Sequence, residues 1–307
     1  MPAQTDSTSF PSRREFVPPM RNSQDAVPPL LWLLLLVYAI ARGLQLVEIP
    51  VPRLPILLVV ILHVVPAALF AWIHGATTYG RRGILVFTVL CLGVGSAFES
   101  LSLRTGFPFG HYRFTDVMGP KILELPMLLA LAYLGMGYMS WVLATLILRS
   151  AILTRRNLLK LPLLASCIMV AWDLAMDPVW ATIDSAWIWR NGGAFFGVPV
   201  SNYLGWFLTV FVFYLLFALY LRSVPTQWAL VGRQHGRLPI LFYSVSALGN
   251  VLLVVPRSPT WVTDATGRAW RSADIVDTCA LVSLCVMLPF AVLAWVRLRK
   301  VEGPVTY

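Results

Sequence analysis

The amino-acid sequence predicts an all-α protein, a polytopic transmembrane bundle of about eight helices with structured loops after the third and fifth. Three observations carry that reading. Hydrophobic residues make up 58% of the 307 positions and charged residues 12%, where soluble domains carry about 25%, and the mean hydropathy is +0.73. Apolar runs recur at the length a helix needs to cross about 30 Å of hydrocarbon. Lys and Arg collect in the short segments between those runs, as they do when basic residues orient membrane spans.

Taken in order, residues 1–28 are rich in Ser, Pro, Arg and Gln and predict a disordered polar tail. Their apolar neighbour begins too late for a cleavable signal peptide. Residues 29–300 then form a single transmembrane helical domain. Its expected spans are Leu30–Val47, Leu54–Ile73, Gly83–Leu103, Ile122–Leu148, Leu161–Ala181, Tyr203–Leu221, Leu238–Val255 and Ile275–Val296. The seventh is short and holds Gly249 and Asn250, so the alternative count is seven.

Charge tests the eight-span alternation. With the N-terminus inside, the inner segments hold Arg13, Arg14, Arg21, Arg81, Arg82, Arg149, Arg155, Arg156, Lys160, Arg222, Arg233, Arg237, Arg297, Arg299 and Lys300, fifteen of the 24 basic residues. That bias predicts a multi-pass protein of the plasma membrane with both termini cytoplasmic. The net charge of +10 is thereby read as topology and lipid contact, with no nucleic acid as partner. Cys91, Cys167, Cys279 and Cys285 lie in apolar runs without a CxxC pair, which excludes a disulfide framework or zinc site and leaves packing.

Polar residues inside apolar runs point to function. Asp173 and Asp177, in AWDLAMDP, stand four residues apart and so share one helix face. A charged side chain near the bilayer centre costs roughly 3 kcal/mol or more, so intramembrane carboxylates are functional by default. Their bland alternative is a structural ion pair with Arg42 or Arg113. Two adjacent carboxyls in apolar surroundings do not both ionise readily, and the pair then supplies a general acid. Glu99 falls at the same outer level, as does Arg42.

Two loops at that level, Ser102–Lys121 and Thr182–Asn202, mix Gly and Pro with aromatic and ionisable residues, the texture of capping or re-entrant segments. The loop Pro256–Ala273 reads as an ordinary connector. His111, Tyr112, Arg113 and Asp116 form the most polar cluster of the first loop. Trp172, Trp180, Trp187 and Trp189 suit either an interfacial belt or a wall that stabilises a cation. His63 and His74 lie on the second span, and His63, without a second histidine at ligand spacing, reads as hydrogen-bonded to a neighbouring helix.

No P-loop, dinucleotide fingerprint, GxSxG or HExxH is present. The DxxxD spacing is similar to the metal-diphosphate motifs of intramembrane prenyltransferases, but Met169 stands where those open with Asn, and Asp274 with Asp277 is the nearest second pair.

Glu99, FGHYRFTDVMGPKILELP (Phe109–Pro126), DLAMDP (Asp173–Pro178) and WIWRNGGAFFGVPVSNYLGW (Trp187–Trp206) occur in that order. Together they resemble the carotenoid biosynthesis membrane family, whose characterised members are carotenoid 1,2-hydratases of the bisanhydrobacterioruberin hydratase type. The resemblance covers about residues 83–221. It implies addition of water to the terminal 1,2 double bond of an acyclic carotenoid, without cofactor or metal, by a hydro-lyase. Catalytic roles then fall to Asp173 and Asp177 as acid, with Glu99 or Asp116 positioning water. Substrate contacts fall to His111, Tyr112, Arg113, Trp187, Trp189 and Asn202. Implied partners are the acyclic carotenoid, the lipid bilayer and other carotenoid-pathway enzymes. The competing readings are a Mg2+-dependent prenyl or glycosyl transferase, a carotenoid-binding scaffold and a proton-coupled transporter.

Overall fold

A computed structural model describes residues 27–45, 55–122, 124–149, 157–224, 233–255 and 259–299. The N-terminal tail through residue 26, with Arg155, Arg156, Arg257 and Lys300, falls outside the described residues. The helices are α1 (Pro29–Leu44), α2 (Ile56–Thr105), α3 (Met127–Leu148), α4 (Asn157–Pro178), α5 (Val200–Ser223), α6 (Arg233–Leu252), α7 (Ser272–Val282) and α8 (Leu288–Arg299).

Their faces follow helical periodicity. In α1, Leu31, Leu34, Leu35, Tyr38, Ala41 and Arg42 are buried, while Leu30, Leu33, Leu36 and Ile40 are exposed. That is a 3.6-residue stripe toward the bundle with an equally apolar outer face, the arrangement of a helix whose surroundings are hydrocarbon. Five helical stretches among the described residues, Leu57–Thr105, Met127–Leu148, Asn157–Ile183, Val200–Ser223 and Ser272–Arg299, are long and apolar enough to cross a membrane.

The second and third expected spans meet in α2 without the loop expected between them. Helix continues through His74–Tyr79, and the direction changes at Gly80, whose φ of +72° and ψ of 167° are open to a residue without Cβ. The buried partners of this segment explain the continuity: His74 pairs Nδ1 with Tyr138 Oη at 2.7 Å and Nε2 with the His235 carbonyl at 3.0 Å, which ties α2 to α3 and α6. The fourth span begins at Met127, later than the expected Ile122. Pro126 lacks an N–H and stands at the helix N-cap, and the residues before it form a tight hairpin of β2 (Lys121–Ile122) with β3 (Leu125–Pro126). α4 runs on as a π-helical turn, Val179–Ile183. α7 and α8 are joined by another, Ser283–Met287, into one rod. With α2 counted as two arms, the described residues form eight rods.

One large apolar core runs through these rods, with a smaller second cluster of Val179, Leu253, Ile275, Val276 and Cys279 beside α7. α2 packs on α1, α3 and α5, and α4 lies against α3 and α5. The two unusual loops pair with each other: β1 (Tyr112–Phe114) and β4 (Trp187–Trp189) form an antiparallel ribbon with Tyr112 opposite Trp189 and Phe114 opposite Trp187. This ribbon caps one end of the bundle. The loop read as an ordinary connector is also folded. β5 (Trp261–Thr263) and β6 (Ala269–Arg271) form a hairpin whose turn is held by Asp264, which accepts from Thr266, Arg268 and Trp270. Arg268 stacks 4.0 Å over Trp270.

Candidate functional site

The helix face that carries Asp173 and Asp177 points into a cavity with an empty volume of about 330 Å³ beneath the β1–β4 ribbon. Glu99, from the last turns of α2, enters from another side. All three carboxyl side chains are buried, Asp177 to 1% exposure.

Each is held by neutral donors. Asp177 accepts Trp187 Nε1–H at Oδ1, 2.7 Å, and Asn202 Nδ2–H at Oδ2, 2.6 Å. The same Asn202 amide stands 3.4 Å from Asp173 Oδ2. Glu99 accepts the Tyr133 hydroxyl at Oε1, 2.9 Å, and the Tyr112 hydroxyl at Oε2. No basic side chain lines the cavity among the described residues. Three acidic groups thus share one largely aromatic cavity, and among the described residues neither Arg42 nor Arg113 lines it as an ion-pair partner.

Strand alternation decides which loop residues reach this centre. Successive side chains of a strand face opposite sides, so Tyr112 and Phe114 turn inward while Arg113, between them, is exposed. On the partner strand Trp187 and Trp189 turn inward. The result is an aromatic wall: Tyr112 lies 4.7 Å from Trp189, Trp206 stacks 4.9 Å from Phe109, and Tyr133 lies 4.3 Å from Trp206. Close approach of the first loop to α5 depends on Gly205, where a Cβ would stand 2.6 Å from Phe109.

Of the residues named from sequence, the structure brings together Glu99, Asp173, Asp177, Tyr112, Trp187, Trp189 and Asn202. It leaves out His111, Arg113 and Asp116. His111 is exposed, its ring against Gly106 at the end of α2. Asp116 is exposed and paired with Lys121 at 2.9 Å; the hydrogen bond and charge of that ammonium hold its carboxyl below the usual carboxylate range, the state of a fixed anion. Arg42 is no partner of the aspartates either. It binds Asn250 Oδ1 at 2.5 Å and Gln45 Oε1 at 2.9 Å.

Tyr133 and Trp206 belong to the centre and were not singled out from sequence. Tyr133 had a signal, being the one hydroxyl-bearing residue between Met127 and Met136. Trp206 had one as well, closing the quoted motif Trp187–Trp206.

A second groove lies beside the cavity. It has an empty volume of about 280 Å³ and is lined by Cys91, Leu92, Gly95 and Ser96 of α2 and by Leu125, Pro126 and Ala130. Glu99, Leu129 and Tyr133 line both spaces. Glu99, Leu129 and Tyr133 thus stand between the acidic centre and a groove walled mostly by apolar residues of α2 and α3.

Comparison with known proteins places the chain in a family. A family model described as carotenoid biosynthesis protein matches residues 55–262, more than half of the chain. Bisanhydrobacterioruberin hydratase of Haloarcula japonica is 34% identical over 140 residues, which is 45% of this chain and 45% of that protein. The matched segment thus spans less than half of that relative's own length. No solved structure matches the chain. The chain is a member of the carotenoid biosynthesis protein family.

Proposed function

We propose that this protein is an intramembrane hydratase that adds water to the terminal double bond of an acyclic carotenoid end. The observation that carries the reading is the cluster of Glu99, Asp173 and Asp177, without a basic side chain among the described residues, inside an aromatic chamber beside an apolar groove.

A terminal isopropylidene alkene offers no site to a nucleophile until it is protonated. A proton from the Asp173–Asp177 pair goes to the less substituted carbon, and a tertiary cation forms at the other. The ring faces of Trp187, Trp189 and Tyr112 stabilise positive charge at that position, and the remaining carboxylate acts through space in a low dielectric. Water held near Glu99 and its two tyrosine hydroxyls adds to the cation and gives its second proton to Glu99. Transfer of that proton back to the aspartate pair restores the starting state. The sum is one water added, with no electron transferred and no cofactor consumed.

The hydrogen bonding favours this reading over Mg2+-dependent prenyl or glycosyl transfer. Both Asp177 oxygens and both Glu99 oxygens already accept from N–H or O–H donors, whereas a diphosphate donor needs carboxylates free to share its metal ion and basic groups for its phosphates. An acyclic polyene is insoluble in water, so its approach through a lipid-facing groove also suits the membrane setting, which we place at the plasma membrane with both termini cytoplasmic.

The test is expression in a bacterium that accumulates lycopene, followed by pigment separation and mass spectrometry. A more polar pigment heavier by one water, with its chromophore unchanged, is the expected product. Unchanged pigment in cells whose membranes contain the protein would refute hydration of that end group.

A further inference from the structure

Two buried glycines of these helices are explained by close packing. A Cβ on Gly135 would stand 2.9 Å from Ala67, and one on Gly205 would stand 2.6 Å from Phe109. Gly95 of α2 is different. It is also buried and its backbone is helical, yet a Cβ there would meet nothing within 4 Å beyond its chain neighbours and the backbone of its own helix. Glycine inside a helix costs stability relative to alanine, and at this position neither a special conformation nor a close neighbour requires it. What the missing side chain leaves is open space.

That space belongs to the groove of about 280 Å³ between α2 and α3, which Gly95 lines. Cys91, Gly95 and Glu99 are spaced four residues apart, all three are buried, and all three line the groove, so they form one row on the inward face of α2. At about 1.5 Å of rise per residue, Gly95 stands about 6 Å before Glu99 along the helix axis. Glu99 lines the acidic chamber as well. Across the groove α3 contributes another short side chain, Ala130, one turn beyond Pro126.

A chamber of about 330 Å³ accommodates the reacting end of an acyclic carotenoid, and the hydrocarbon that follows has to lie in a space bordering it. The groove suits that segment. Tyr133 already donates to Glu99 at 2.9 Å, so hydrocarbon beside these two groups leaves neither newly unpaired. The larger space that borders the chamber at Met176 and Trp187, about 630 Å³, has Arg42, His63 and Asn250 in its wall, groups that an apolar chain would deprive of water. We propose that Gly95 determines substrate specificity: the slot left by its missing side chain receives the methyl-branched hydrocarbon adjoining the terminal double bond and holds that bond at Glu99. The identity of the occupant rests on the hydratase reading; the open slot does not.

The test pairs graded substitution with chemical labelling. Gly95→Ala, Gly95→Val and Gly95→Leu fill the slot stepwise, and kcat/KM for lycopene is expected to fall in that order, by at least about tenfold at leucine. The thermal midpoint is expected not to fall with it, because the added atoms meet no neighbour. Gly93→Leu, at an exposed position of the same helix where a Cβ also meets nothing, is expected to keep activity within about twofold. For labelling, Cys167→Ser and Cys285→Ser remove the exposed thiols, and the protein is placed in lipid nanodiscs. Gly95→Cys in that background is expected to react with methyl methanethiolsulfonate and to be protected at least about tenfold by lycopene, whereas Gly93→Cys reacts equally with and without it.

Hydration by Gly95→Leu within about twofold of the unmodified protein overturns the proposal. So does a loss of thermal stability that parallels the loss of activity, a Gly95→Cys thiol that does not react, or one that lycopene leaves unprotected. Labelling separates this inference from the reaction on which it rests. Protection of Gly95→Cys with no pigment hydrated refutes the reaction and leaves the slot occupied, while hydration undiminished in Gly95→Leu removes the slot alone.

Discussion

Asn202 donates its side-chain amide to Asp177 Oδ2 at 2.6 Å, and the same nitrogen lies 3.4 Å from Asp173. One neutral amide thus joins two carboxyl groups whose cavity has no basic side chain among the described residues. Replacing it with Ala leaves Asp177 with Trp187 as its remaining donor and opens a cavity beside it. Asn202→Ala is expected to lower stability by about 1–3 kcal/mol and to reduce product yield. Thermal denaturation in detergent, read beside pigment analysis, checks both.

Asp177→Asn removes one acid of the pair while preserving its shape. A general acid contributes about 10²- to 10⁴-fold, so hydrated pigment is expected to fall at least 100-fold with protein level unchanged by immunoblot. Activity near that of the unmodified protein would remove the aspartate pair from the mechanism.

Trp187 serves twice, as N–H donor to Asp177 and as an aromatic wall. Trp187→Phe loses the first role and Trp187→Leu both. Initial hydration rates are expected to fall in that order, with the leucine variant at least about tenfold below the phenylalanine one if ring faces stabilise the cation. Equal rates would leave only the hydrogen bond.

Asp116→Asn and Arg113→Ala change exposed groups outside the chamber. Pigment yield is expected to stay within about twofold of the unmodified protein, because surface pairs contribute little. A loss comparable to that of Asp177→Asn would place the reacting carbon outside the chamber.

Protonation at carbon leaves a permanent mark. Membranes incubated with lycopene in D2O and washed in H2O are expected to give a product with one deuterium retained on the carbon next to the carbinol, and H2(18)O to label its oxygen. Absence of carbon-bound deuterium would exclude the carboxylic-acid step.

Much of the fold was legible along the chain. Apolar runs of membrane-spanning length and a 3.6-residue stripe are local properties, and they set the rods and the shared face of Asp173 and Asp177 within a single helical turn. Helix ends were less legible. His74–Tyr79 looks like a connector until Tyr138 and His235 satisfy His74 from two other helices, and Pro126 delays α3 past Ile122.

The site itself was decided by tertiary structure. Tyr112 and Arg113 are adjacent members of one cluster in the sequence; a ribbon pairing them with residues more than 70 positions away sends one into the chamber and the other to solvent. Arg42 reads as a plausible partner for Asp173, yet it meets Asn250, 208 positions on, because α1 packs against α6. Tyr133 and Trp206 joined the centre only when α3 and α5 met the capping loops. Periodicity within one turn is written in neighbouring residues, whereas strand register and helix packing are set by contacts between distant ones, and those contacts turn scattered acids and aromatics into one chamber.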